Sequence, residues 1–272
     1  MANPLQVKAI AHARIKTDKR DSRTLAQLLR ADLIPEVYQR GEWNRRAQRV
    51  MRMRAYWVSK QTEVRNKIRA LLAQQREEIR LEVEKRETGL FRPNGLQFLG
   101  QLALEAPDKL ILDDLVQGHR QIQAHVKLTD GLVKTLYDEM EEAARIDTIP
   151  GFARTLSVLV AVEIADIRRF PRPADLHSYA GVIPSTHASG NRTFHGHITK
   201  QGSAWLRWAV VEAVYPAIRR DLVLLALYKR LARRKGANVA KIAVARRLLT
   251  IIYRVLSEKR DYIPELMKQS AA

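Results

Sequence analysis

The sequence predicts a mainly α-helical protein, and three observations carry that prediction. Positions 44–87 contain no Pro or Gly, and apolar residues recur there at helical spacing among charged ones. A similar amphipathic pattern covers 111–145. The C-terminal part divides into about three helical segments, at Pro216 and Gly236. Because Gly and Pro are frequent in 88–110 between the two long patterns, we expect an antiparallel helical hairpin or coiled coil.

Composition excludes several classes of protein. The chain has 272 residues, 46% of them apolar, and no cysteine, so disulfides and thiolate metal sites are excluded. The N-terminus lacks the apolar segment of a signal peptide. The most apolar run, Leu222 to Leu227, is far shorter than the ~18–20 residues of a membrane span. We expect a cytoplasmic protein that does not span a membrane.

The net charge of +19 is unevenly distributed. Residues 1–85 hold 20 Lys and Arg against 10 Asp and Glu, residues 86–150 hold 7 against 11, and residues 151–260 hold 20 against 6. Two basic blocks therefore flank a mildly acidic one. A strongly basic surface attracts phosphates through release of condensed counterions, so DNA or RNA is the expected partner.

The stretch 180–207 differs from its helical surroundings. It is rich in glycine and hydroxyl side chains, which predicts a polar loop, and it contains three histidines: His187, His195 and His197. A zinc site is not favoured, because the stretch holds no carboxylate and the spacing matches no recognised zinc pattern. A Ser-His-Asp hydrolase is not favoured either, because no strand–GxSxG–helix context is present.

With zinc and hydrolase sites not favoured, the stretch is still consistent with a serine that attacks a phosphodiester. Ser189 is preferred to Ser185 and Ser203 because Gly190 follows it and permits a tight turn. Cationic groups are needed around the developing charge, and the nearest in sequence are Arg192, His195 and Lys200.

Asp18 and Asp21 are three residues apart, which on a helix places both carboxylates on one face. Spacing alone favours Asp18 as a helix N-cap over a Mg²⁺ ligand. A second ambiguous feature is the Pro150-Gly151 turn. It is consistent with a helix-hairpin-helix whose backbone N–H groups hold a DNA phosphate, and equally with an ordinary helix start.

Two further groups of residues carry predictions. The charge run near residue 230 predicts either a solvated face or phosphate contacts, and it comprises Arg230, Arg233, Arg234 and Lys235. The large apolar residues of the C-terminal helices are expected in the core and not as base-stacking platforms, and they comprise Trp205, Trp208, Leu248, Ile251 and Val255.

Residues 148–215 resemble the C-terminal domain of insertion-sequence transposases related to the Piv DNA invertase. The resemblance rests on the helix exit EIADIRRF, the turn YAGVIP, the Ser-Gly pair of STHASGN and the run HITKQGSAWLR. The N-terminal NPLQVK and KTDKRD also resemble the end of that family's RuvC-like domain, which carries a DEDD set of acidic residues. Some members of the family are guided by a bridge RNA.

The resemblance implies roles for individual residues. Ser189 would attack DNA and form a covalent phosphoserine, and Asp18 and Asp21 would be the last two DEDD residues, binding Mg²⁺. It also implies a homo-oligomer joined by a coiled coil, DNA as substrate and, for some members, a guide RNA. From their charge, independently of the resemblance, the residues predicted to contact nucleic acid are Arg192, Lys200, Arg207, Arg230, Arg233, Arg234 and Lys235.

The resemblance also sets the expected domain plan. We expect a RuvC-like remnant over 1–40, a helical hairpin or coiled coil over 41–147, and a compact helical serine domain over 148–265. The family's first Asp and its Glu precede the segment that begins at Asn3, so we expect an N-terminally truncated chain with an incomplete acidic set. Ala153 stands where the family's hairpin has its second Gly. A non-catalytic DNA- or RNA-binding remnant is the alternative function.

Overall fold

The computed structural model describes residues 17–34, 37–189 and 192–264, with the backbone alone for 186–189 and 192–195. The chain forms two compact units, residues 1–45 and 46–272. The prediction of a mainly helical protein is confirmed. The predicted RuvC-like remnant and the three-part domain plan stay predictions.

The first unit contains helix α1 (Asp18–Arg30). Thr17 is its N-cap, with an extended backbone and a side-chain oxygen that accepts from the amide of Arg20 at 3.4 Å. The expectation that Asp18 caps the helix is therefore wrong by one residue, because the threonine hydroxyl already fills that role. None of the residues of α1 is buried within this unit.

The second unit begins with a long helix that starts within the first. The helices of its first half are α2 (Glu42–Ala73), α3 (Glu77–Glu84), α4 (Pro93–Gln101), α5 (Asp108–Glu139) and α6 (Glu141–Asp147), with a 3-10 turn at Glu87–Gly89. The predicted uninterrupted helix over 44–87 is broken at 74–76, and the one over 111–145 is broken at Met140. Neither break contains Pro or Gly, so no local signal predicts either of them.

Helices α2 and α5 lie antiparallel. Arg54 Nε donates to Asp130 at 2.6 Å, and the rings of Trp57 and His125 stack at 4.2 Å. Further along, Arg65 donates to His119 at 3.1 Å. As the residue numbers of these contacts rise along α2, those of their partners fall along α5. This is the geometry of a helical hairpin. The antiparallel pairing of the two long helices is therefore confirmed.

The second half is a compact helical body. Its elements are α7 (Arg154–Ile164), a 3-10 turn Ile167–Arg169, α8 (Pro173–Ala180), β1 (Pro184–Ser189), β2 (Arg192–Ile198), α9 (Ala204–Glu212), α10 (Val214–Arg220), α11 (Leu222–Lys235) and α12 (Ala237–Ser257). Gly236 separates α11 from α12, as predicted. The helix expected to end or kink at Pro216 ends at Glu212 instead, and Pro216 is the third residue of α10. A further boundary at Asp221 gives four helices where about three were expected.

Two hydrophobic clusters hold the second unit together. The larger joins α7 and α12, with Val160 and Leu248 fully buried, to the start of α2 through Met51. The smaller cluster lies around the far end of the helical hairpin, where Ile68 and Leu112 are buried. No helix among the described residues has the length and apolarity to cross a membrane.

The predicted core residues divide into three groups. Leu248 and Val255 are buried, as expected. Trp205 and Ile251 are partly buried and pack against the core. Trp208 is 48% exposed, so the prediction that it is a core residue is wrong. The helical period places it beside the core, but the neighbouring helices leave one side of its ring uncovered.

Candidate functional site

The stretch predicted as a polar loop is instead a β-hairpin. β1 and β2 pair antiparallel, and Ser189 is the Cα partner of Arg192 in the last pair before the turn. Gly190 and Asn191, which join the two strands in the sequence, lie outside the described residues. A Gly-Asn pair between two extended segments is a signal for a two-residue hairpin turn, and reading the segment as a loop missed it.

The hairpin separates the cations that were grouped around Ser189 from the sequence. Arg192 is its register partner, whereas His195 pairs with Thr186, further along the ladder. Lys200 follows the end of β2, at the base of the hairpin. Since β1 extends over five residue steps, the base is about 17 Å from the tip. Of the three cations, only Arg192 is placed next to Ser189.

The base of the hairpin is fixed to the helical body by three backbone hydrogen bonds. Thr199 donates to the carbonyl of Ile183 at 2.9 Å, and Lys200 donates to Gly181 at 3.1 Å. Ser203 donates to Tyr179 at 2.7 Å. These bonds join the end of α8 to the start of α9, so both strands leave from one anchored position.

Two glycines make this close approach possible. Gly181 has φ of 65° and Gly202 has φ of 79°, both in the left-handed region. A Cβ at Gly181 would lie 2.2 Å from the carbonyl oxygen of Gln201, and one at Gly202 would lie 2.1 Å from that of Tyr179. Only glycine satisfies both the dihedral angles and the contact.

A buried carboxylate connects the hairpin base to the long helix α2. Glu163, on α7, is 2% exposed. Its Oε2 accepts from the Ser203 hydroxyl at 2.8 Å, and its Oε1 accepts from Gln48 at 3.3 Å and from Arg52. The Ser203 hydroxyl also accepts from the Leu206 amide at 3.1 Å, capping α9. Paired and hydrogen-bonded in this way, the buried charge is satisfied.

Sequence reasoning missed Glu163 and its partners. A single carboxylate inside the apolar run LSVLVAVEI was the available signal, because a buried acid requires partners. Which partners it finds depends on a contact with Gln48 and Arg52, more than a hundred residues earlier in the chain. No local pattern contains that information.

Arg207 takes part in the same anchor. It is partly buried, and its Nη1 donates to the carbonyl of Ala180 at 3.0 Å, at the C-terminal end of α8. The nucleic-acid contact predicted for Arg207 stays a prediction. The structure adds a second role, because Arg207 holds the end of α8. Lys200 is exposed, with φ of 53°.

The predicted basic cluster lies at the C-terminal end of α11. Asp221 caps the start of that helix, accepting from the amides of Val223 at 2.8 Å and Leu224 at 3.0 Å. The side chains at the other end are exposed, and they are Arg230, Arg233, Arg234 and Lys235. Cations at a helix C-terminus are stabilised by the helix dipole, and exposed ones remain able to contact phosphates.

Asp18 and Asp21 lie in the first turn of α1, as the first and fourth helical residues. Asp18 is exposed and Asp21 is partly exposed. Their spacing puts the two carboxylates on one face, as predicted. Within the described residues, no group of three or more His, Cys, Asp or Glu side chains is close enough to hold a metal ion.

The Pro150-Gly151 turn lies between α6 and α7. Gly151 has φ of 94°, and a Cβ there would lie 2.3 Å from the carbonyl oxygen of Ala213. This glycine is therefore required for packing against the start of α10. Ala153 is the N-cap of α7 and makes no side-chain capping bond. The packing role of Gly151 supports the ordinary helix start over a phosphate-binding hairpin.

Comparison with known proteins finds similarity to transposases. Residues 143–229 match the family model described as Transposase IS116/IS110/IS902 family. The chain is 29% identical over 135 residues to the transposase for insertion sequence element IS1111A of Coxiella burnetii, covering 48% of this chain and 37% of that protein. It is 25% identical over 172 residues to a probable family 20 transposase of Pseudomonas aeruginosa, covering 61% and 48%.

A putative transposase of Sinorhizobium fredii, y4qE, is 25% identical and is matched over 91% of this chain and 66% of its own length. These similarities define the chain as related to insertion-sequence transposases. The family model matches residues 143–229, which contain the hairpin and its anchor. The chain spans only 37% and 48% of the lengths of the Coxiella and Pseudomonas relatives.

Proposed function

We propose that this chain acts in DNA transposition, with Ser189 as the nucleophile that cleaves and rejoins a DNA strand. The observation that carries the proposal is the hairpin. Ser189 and Arg192 form its last register pair, next to the turn, and its base is anchored at Gly181 and Ser203. A nucleophile at the tip of an anchored hairpin can enter a DNA groove while its base stays fixed.

The proposed chemistry is a transesterification. The Ser189 Oγ forms a bond to the phosphorus of a DNA phosphodiester, one bond from that phosphorus to a sugar oxygen breaks, and the serine proton ends on the departing oxygen. Attack by a sugar hydroxyl of another strand reverses these steps. Arg192 is the register partner of Ser189, and its guanidinium would stabilise the phosphorane charge.

Magnesium belongs to the same proposal. Asp18 and Asp21 would hold the ion, since they offer two carboxylates on one helix face and Mg²⁺ binds proteins through about one or two carboxylates and several waters. A bound Mg²⁺ would neutralise charge on a phosphate oxygen. A paired-metal site requires further oxygen ligands beyond these two.

Binding without chemistry is the second candidate function. The exposed basic end of α11 favours it, because such a surface binds nucleic acid whether or not Ser189 reacts. We further propose that the partners include a second copy of the chain and a guide RNA, and that the protein acts in the cytoplasm.

The two functions are separated by trapping a covalent adduct. The chain is incubated with Mg²⁺ and a pool of end-labelled duplex oligonucleotides, then denatured and run on a gel. We expect labelled protein from the wild type and from Ser185→Ala, and none from Ser189→Ala, with duplex affinity unchanged in all three. Adducts in Ser189→Ala would overturn the assignment. Binding without adducts in the wild type would support the binding-only function and overturn the catalytic one.

A further inference from the structure

A groove with aromatic walls lies between α2 and the first turns of α7 and α9. Its volume is about 450 Å³, within the ~300–1,000 Å³ that is typical of small-molecule sites. The walls are mostly apolar, with Met51 and Val58 from α2, Leu159 from α7, and Trp205 and Trp208 from α9. The groove is therefore shaped for a flat apolar group.

The two tryptophans of the groove differ in how firmly they are held. Their rings meet edge to face, with centroids 6.5 Å apart and planes at 81°. The Arg52 guanidinium lies 4.1 Å from the centroid of Trp205, and the same guanidinium pairs with the buried Glu163. The contact with Arg52 therefore holds the Trp205 ring in place, whereas the Trp208 side chain is 48% exposed.

The charges around the groove select the kind of ligand. Among the described residues, no carboxylate lines the groove and Arg54 is the one charged lining residue, paired with Asp130 at 2.6 Å. Arg154, exposed at the start of α7, is adjacent to the lining residue Thr155. Its guanidinium lies 5.8 Å from the centroid of the Tyr137 ring. The attraction for an anionic backbone therefore comes from the net positive charge of residues 151–260, and the apolar slot itself suits a flat ring.

We infer that this groove takes an unpaired DNA base, held by stacking on Trp208, while the basic surface of residues 151–260 attracts the flanking phosphates. The inference rests on the proposed DNA function. Stacking is tolerant of sequence because every base has a π-face, so the groove would recognise an extrahelical base and not a particular sequence. Strand cleavage and exchange produce such unpaired bases close to the reacting phosphate.

The test compares three hairpin DNA probes that differ at one position: a single bulged thymine, an abasic residue at that bulge, and no bulge. We expect the wild type to bind the bulged thymine about tenfold more tightly than the abasic probe, equivalent to about 1.4 kcal/mol. Trp208→Ala should bind both alike, and Trp208→Phe should keep most of the preference. Trp43→Ala is the matched control, because Trp43 is 47% exposed and does not line the groove.

Three results would overturn the inference. One is equal wild-type affinity for the thymine and abasic probes. The second is a preference that appears only with the corresponding RNA probe. The third is a preference for the bulged thymine that survives in Trp208→Ala, combined with a loss of self-association in that variant but not in the wild type or Trp43→Ala. Sedimentation measures the self-association, and this result would make the groove an interface between copies. In each case affinity for the unbulged duplex tests the proposed DNA function separately.

Discussion

The Ser203 hydroxyl donates to the buried Glu163 carboxylate at 2.8 Å, and this bond joins the base of the Ser189 hairpin to the core. The same carboxylate accepts from Arg52 on α2. The hairpin, α7 and the long helix therefore share one charged junction. A change at Glu163 should affect both the stability of the domain and the orientation of the hairpin.

Replacement of Glu163 by Ala should lower the free energy of unfolding by about 3 kcal/mol, because it leaves the Arg52 guanidinium and the Ser203 hydroxyl without their acceptor. Urea denaturation measures the change. Glu258→Ala is the control, since Glu258 pairs with Arg260 at the surface, both partly exposed. That substitution should cost under about 1 kcal/mol. Equal losses in the two variants would show that the buried junction is not important for stability.

Gly202→Ala should destabilise the protein by about 2 kcal/mol or more, because the new Cβ meets the Tyr179 carbonyl and the backbone has positive φ. Gly118→Ala, inside α5 with open space around it, should instead raise stability by about 0.5–1 kcal/mol through helix propensity. Thermal denaturation should show a lower melting temperature for Gly202→Ala and a higher one for Gly118→Ala than for the wild type. A neutral Gly202→Ala would mean that the anchor accommodates a side chain.

Acid should weaken the helical hairpin through His119. This side chain is fully buried, and burial, together with the nearby Arg65 charge, lowers its pKa from 6.5 to about 4. The folded state therefore binds the proton less readily than the unfolded state. Stability should fall as pH drops from about 6.5 towards 4, by up to roughly 3 kcal/mol.

His119→Gln keeps an acceptor for the Arg65 side chain but does not titrate. Urea unfolding of this variant between pH 7 and pH 4 should give a shallower loss of stability than the wild type. Parallel pH profiles for the two proteins would exclude His119 as the source of the acid sensitivity.

Removal of the charges at Arg233 and Arg234 should weaken DNA binding at all sequences. If both contact phosphates, the slope of log affinity against log salt should decrease by about 2, since each contact contributes about 0.9. Lys134→Ala is the control, because Lys134 pairs with Asp138 in the mildly acidic block. An unchanged slope in the Arg233/Arg234 double variant would assign this end of α11 to a solvated face.

The helices were predictable from sequence because amphipathic periodicity and Pro or Gly breaks are local signals. Gly236 marked a real helix boundary for this reason, whereas Pro216 lies in the first turn of α10. The break at 74–76 has no such residue, and its position depends on packing, including a bond from Gln75 to Asp108 at 2.8 Å.

The candidate site was only partly predictable. Ser189 and Arg192 were identified as neighbours in sequence, but their pairing across a hairpin depends on the strand register. Glu163 and the exposed Trp208 were missed because burial follows from long-range contacts. Both residues lie among apolar neighbours in the sequence. Only the packing of α2 and α9 leaves Glu163 buried and Trp208 exposed.

Mapping the covalent adduct tests the central claim most directly. After incubation with DNA, nuclease and trypsin digestion should leave the peptide 170–192, which contains Ser178, Ser185 and Ser189. Fragment-ion mass spectrometry then locates the attached nucleotide. We expect the added mass on Ser189 alone. A nucleotide on Ser185 or on Ser178, or on a residue outside this peptide, would contradict the assignment of Ser189 as the nucleophile.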